Sequence, residues 1–95
     1  MKGGWTYMMA DRYRGAIYIG VTANLATRIF EHRREPKGFV ARYGLNRLVM
    51  AEWHEDLLFA IAREKALKKW RRDWKIRLIE EQNLEWADRF GDFNK

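Results

Sequence analysis

The chain contains no cysteine and no serine, a single proline and only two histidines. Without a thiol there is no disulfide framework, thiolate zinc site, iron–sulfur cluster or cysteine nucleophile. Without serine there is no serine nucleophile. His32 and His54 are too few for a histidine-rich metal centre, and no His-Glu-x-x-His pair or glycine-rich phosphate loop of either common spacing occurs. The longest uninterrupted apolar run is only a few residues, far short of the roughly 20 that cross a bilayer. Met1 to Gly20 lacks the charged start, apolar core and small-residue cleavage site of a secretory leader. A reducing cytoplasm is therefore the expected compartment.

What remains is a chain of 95 residues, 47% hydrophobic and 15% aromatic, enough apolar surface for a packed core. One domain over 1–95, with its core from about 4 to 90, is expected. Nineteen Lys and Arg against thirteen Asp and Glu give a formal charge of +6 and a pI near 9.9. That balance favours a polyanionic partner, and DNA, a ribosome or an anionic membrane satisfies it equally well.

Trp5 to Met9 and Ala16 to Gly20 are short β-branched and aromatic runs separated by a polar stretch ending in Gly15, the pattern of an antiparallel hairpin. Thr22 or Asn24 can cap a helix to about Arg34, with Leu25 and Ile29 as its apolar stripe and Pro36 as its stop. Gly38 to Tyr43 adds a short helical turn ended by Gly44. Arg47 to His54 reads as a third strand. Glu55 or Asp56 then caps a long helix carrying Leu57, Ala60, Ile61 and Leu67, followed with little or no break by another from about Arg72 to Gln82. The order predicts an α+β domain, a three-stranded, largely antiparallel sheet flanked by helices.

Four groups of residues carry possible chemistry. Tyr7 and Tyr18 lie on paired strands and can share a surface, and Gly20 lets a ligand approach the strand end; as half-buried strand aromatics the tyrosines need no further role. Arg28 and His32 project together from one helix face, as a phosphate-binding fork beside a proton carrier or as a solvated Arg beside a partly packed His. Glu64 falls in the apolar stripe of the long helix, where a carboxylate calls for a structural bond to Arg28 or a tyrosine, or for a hard metal such as Mg²⁺. From Arg63 to Arg77 eight Lys or Arg face two acids. Lys68, Lys69, Arg71, Arg72 and Lys75 are candidate nucleic-acid contacts; the interleaved Trp70 and Trp74 can stack bases or form the inner face of the last helix, and the inner face is the preferred reading.

Taken together, Tyr7, the Ile17-Tyr18-Ile19-Gly20 run eleven residues after that tyrosine, Arg28, His32 and Glu64 resemble the GIY-YIG nuclease superfamily. The likeness is to its small stand-alone bacterial members, the UPF0213 group, similar to the amino-terminal nuclease domain of the excinuclease. It covers nearly the whole chain, although Trp5-Thr6-Tyr7 stands where the family name has Gly-Ile-Tyr, and Val21 follows Gly20 where excinuclease-type members often carry Lys. The resemblance implies a three-stranded antiparallel sheet with helices and a DNA endonuclease using one divalent metal, Mg²⁺ or Mn²⁺, and working in DNA repair or recombination. The implied partner is branched or irregular DNA and not a membrane. Tyr18 or Tyr7 would help activate water, Arg28 would stabilise charge on the scissile phosphate, His32 would orient or relay a proton, and Glu64 would hold the metal. Asn83 is the only candidate beyond Glu64 in the last helices for the asparagine that lines the site in many members. A catalytically weak or inactive nucleic-acid-binding module and a basic protein-docking adaptor are the competing readings.

Overall fold

Tyr7, Met8, Met9 and Ala10 are all buried, and a strand apolar on both faces belongs in the middle of a sheet. In the computed structural model, which describes residues 2–35 and 37–93, their strand β1 (Gly4–Ala10) is indeed central. It pairs antiparallel with β2 (Ile17–Thr22), Tyr7 facing Gly20 and Met9 facing Tyr18, and antiparallel with β3 (Arg47–His54), Trp5 facing Trp53. Pairing with β3 shifts between Met8 and Met9, which face Met50 and Leu48. Val49 is passed over, the signature of a β-bulge.

The two faces of the sheet bury different sets. Met8, Ala10, Ile19, Val49 and Met50 form one core with Leu67, Leu78 and Ile79, whereas Tyr7, Met9 and Leu48 form the other with Leu25 and Ile29. Helix α1 (Leu25–Arg34) covers the Tyr7 face. Asn24 is its N-cap and accepts from the Thr27 amide at 3.1 Å, the choice the sequence left open with Thr22. Pro36, the expected stop, lies outside the described residues. The short α2 (Gly38–Tyr43) ends before Gly44, whose φ of +62° needs a residue without a Cβ.

Helices α3 (Leu57–Lys69) and α4 (Arg72–Gln82) cover the Met8 face. Asp56 caps α3 by accepting from the Leu58 amide, and Thr6 Oγ1 donates to the Ala60 carbonyl at 2.8 Å, tying α3 to β1. The expected near-continuous helix is broken, because Trp70 and Arg71 both adopt extended backbone (ψ 150° and 153°). Sequence pattern did not reveal the end of the chain. Trp86 is wholly buried and donates from Nε1 to Glu80 at 2.7 Å. Arg14 makes a two-pronged bond to the same carboxylate, locking the β1–β2 loop onto α4. A last turn, α5 (Phe90–Phe93), packs Phe90 and Phe93 against the Tyr7 core.

Candidate active site

The site is built on β1 and β2 and closed by α1. Tyr7 points from the centre of the sheet toward α1, where Leu25 and Ile29 are the anchors, and His32 follows Ile29 on nearly the same helix face. This brings the Tyr7 hydroxyl to 3.0 Å from His32 Nε2. The Tyr18 ring stands 6.2 Å from that of Tyr7 and 5.7 Å, edge to face, from that of His32. Gly20 makes room for the phenol. A Cβ at Gly20 would lie 2.5 Å from the Tyr7 oxygen and 2.9 Å from the Tyr18 ring, closer than non-bonded atoms tolerate.

Burial, with Tyr18 beside it, raises the Tyr7 pKa well above that of a free phenol despite the nearby Arg28 guanidinium. Burial and the charge of Arg28 lower that of His32. The pair is thus a neutral imidazole against a protonated phenol near neutral pH. Arg28 is exposed and lines two grooves. One, of about 430 Å³, runs along α1 past His32, Arg34 and Lys37. The other, of about 420 Å³, lies between α1 and the start of α3, with Val21, Leu57 and Ile61. Arg34 and Lys37 were not singled out from the sequence, although both continue the basic run after His32.

Glu64 continues the Leu57–Ile61 row one turn further along α3. Its side chain is 14% exposed and its ion pair is with Lys68, at 3.1 Å. Lys68 takes the place expected for Arg28 or a tyrosine, because an i,i+4 neighbour on the same helix is within reach whatever the tertiary fold. Tyr7, Tyr18, Gly20, Arg28 and His32 are therefore gathered on one side of the sheet, and Glu64 comes from the helix layer on the other side, against the edge strand β2. Among the described residues no three His, Cys, Asp or Glu cluster as metal ligands. A single shielded carboxylate suits Mg²⁺, which keeps most of its waters and is commonly held by one or two carboxylates plus substrate phosphate.

The basic run divides. Lys68 is engaged by Glu64 and Arg71 by Asp73, and Arg72 donates to the Gly15 carbonyl at 2.8 Å as a brace for the β1–β2 loop. Lys69 is exposed and Lys75 partly so, with no ion pair among the described residues. Trp70 packs against the core as expected, but Trp74 does not, being 45% exposed, because the break at Trp70–Arg71 turns the start of α4 outward. Asn83 is away from the Tyr7 side. Its Nδ2 donates to the carbonyls of Val49 and Ala87 and its Oδ1 accepts from the Ala87 amide, so it satisfies the bulged residue of β3.

An antiparallel three-stranded sheet flanked by helices is an α+β architecture consistent with a nuclease domain. The family profile of the GIY-YIG catalytic domain matches residues 3–77, and the chain belongs to the GIY-YIG nuclease superfamily. A nuclease-type function with DNA as substrate goes with that membership. Asn83 lies beyond the matched residues. No curated protein and no solved structure matches the chain. Among the described residues no helix is long and apolar enough to cross a membrane.

Proposed function

We propose that the protein is a divalent-metal-dependent endonuclease that hydrolyses phosphodiester bonds in branched or irregular DNA, in repair or recombination. The observation that carries this reading is the Tyr7–His32 hydrogen bond of 3.0 Å beside Tyr18 and Arg28. A buried phenol with a raised pKa supplies almost no phenolate, so Tyr7 is a poor base by itself. With His32 as the Nδ1–H tautomer, its Nε2 accepts the proton of the buried Tyr7 while the Tyr7 oxygen accepts one from Tyr18, and the half-buried Tyr18 oxygen accepts one from the attacking water. The relay ends on the imidazole, and no phenolate accumulates. Tyr18 orients the water from the neighbouring strand. Arg28 holds the scissile phosphate with its planar fork and offsets the charge that develops there. Glu64 would hold Mg²⁺ or Mn²⁺, which supplies Lewis-acid polarisation of the phosphate when bound.

The test is cleavage of supercoiled plasmid and of branched oligonucleotides with Mg²⁺ or Mn²⁺, against EDTA, alongside DNA affinity as a function of salt. Metal-dependent cleavage lost in His32→Ala supports the reading. Binding with a salt slope of about −4 to −5, from roughly 4 to 6 phosphate contacts, but no cleavage would make the protein a binding module. Neither cleavage nor binding would leave the protein-docking adaptor.

A further inference from the structure

On the sheet face opposite Tyr7, the turn between α3 and α4 sets Trp70 and Trp74 edge to face with centroids 5.9 Å apart. Arg63 lies over Trp70 and Arg71 over Trp74, each 5.1 Å from the ring. A groove of about 250 Å³ opens against both indoles, with Arg77, Leu78 and Glu81 as its other walls. The core does not require this exposure of Trp74. Arg63 and Arg71 are ion-paired with Glu52 and Asp73, which leaves Arg77, among the described residues, as the unpaired cation beside an indole 45% exposed, short of the burial that normally holds tryptophan in place.

A second groove, of about 350 Å³, lies on the neighbouring face of α4. It is lined by Lys75 and Arg72, by Ala16 and Ile17 at the start of β2, and by Tyr43 from α2. It therefore crosses the β2 edge of the sheet, from the α4 layer to the side where Tyr18 and Tyr7 lie. Lys75 and Arg77 make no ion pair among the described residues, and Lys75 stands where a backbone passing from one groove to the other would run.

We infer that Trp74, with Lys75 and Arg77, is a second DNA contact that stacks an unpaired base and leads a single-stranded arm around the β2 edge toward the Tyr7–His32 site. An exposed indole flanked by cations is the chemistry of single-strand binding, since every base has a face to stack and every linkage a charge to neutralise. A duplex keeps its bases stacked on each other and offers the indole nothing. The inference deepens the endonuclease reading, on which it rests, by naming the substrate as DNA with an unpaired arm.

The experiment is equilibrium binding in EDTA of labelled oligothymidylate and of a blunt duplex of equal length, to the full chain and to Trp74→Ala, Trp74→Phe and Arg77→Gln. Stacking of one base is worth about 1 to 3 kcal/mol. Trp74→Ala should therefore weaken oligothymidylate binding at least about fivefold and leave duplex binding unchanged. Trp74→Phe should recover most of the loss. Arg77→Gln should reduce the salt slope for the single strand by about 0.7. Unchanged oligothymidylate affinity in Trp74→Ala would overturn the proposal, as would equal losses for duplex and single strand. The readout needs no cleavage, so a failed cleavage assay counts against the endonuclease and a failed binding difference counts against Trp74.

Discussion

Lys68 reaches back one helical turn to hold its ammonium 3.1 Å from the Glu64 carboxylate. Lys68 is half-exposed, and i,i+4 pairs of this kind contribute only about 0.3 to 0.5 kcal/mol. The significance of the pair is competitive, because a cation bound to Glu64 must displace or tolerate the ammonium. Glu64→Gln should leave the melting temperature within about 3 °C of wild type and abolish both cleavage and any Mn²⁺-induced stabilisation. Lys68→Met should raise the apparent affinity for Mn²⁺. Thermal melts with and without Mn²⁺ check both, and a large loss of stability in Glu64→Gln with no metal effect in either protein would remove Glu64 as ligand.

The proton relay predicts the pH profile. Only neutral His32 accepts the Tyr7 proton, and its pKa lies below the usual 6.5. Cleavage should fall as pH drops through that lowered value and be flat above neutrality. A profile that keeps climbing toward pH 10 would instead point to a phenolate base. Stability has the same sign. The folded state resists protonating His32, so the unfolded chain binds more protons and melting temperature should decline as pH falls below about 6.5. His32→Gln should blunt that decline.

Arg28→Lys should impair single-turnover cleavage far more than DNA affinity, because the ammonium keeps the charge and loses the planar fork. Equal losses in rate and affinity would make Arg28 a phosphate anchor.

Gly20→Ala places a methyl 2.5 Å from the Tyr7 oxygen and 2.6 Å from its ring. Tyr7 is held by full burial and by β1, so the added methyl must push the phenol away from His32. Overpacking of this kind costs about 1 to 3 kcal/mol. Cleavage should fall further than stability alone accounts for, at a temperature where melts show the variant folded.

Asn83→Ala should separate structure from chemistry. Its amide answers the Val49 and Ala87 carbonyls and the Ala87 amide, and leaving the buried Val49 carbonyl unpaired costs about 1 to 3 kcal/mol. The melting temperature should drop by at least about 4 °C, while the folded variant keeps its cleavage rate at low temperature. A rate loss without a stability loss would return Asn83 to the active site.

Strands, the first and third helices and their caps were legible in the residue order because their causes are local. Short β-branched and aromatic runs mark β1 and β2, Asn24 and Asp56 offer side-chain oxygens at helix starts, and the Leu25–Ile29 spacing sets which face of α1 is buried. The same spacing made Arg28 and His32 neighbours, and the pairing of two strands brought Tyr7 and Tyr18 onto one side. Only the tertiary structure set His32 against Tyr7, put Glu64 in the opposite helix layer and turned Trp74 outward. Each depends on how one layer lies over another, and periodicity within a segment carries no information about that. The roles of Trp86 and Asn83 are non-local for the same reason. The bulged Val49 becomes a neighbour of Asn83 only after the sheet has formed and α4 has packed on it, and the same packing buries Trp86.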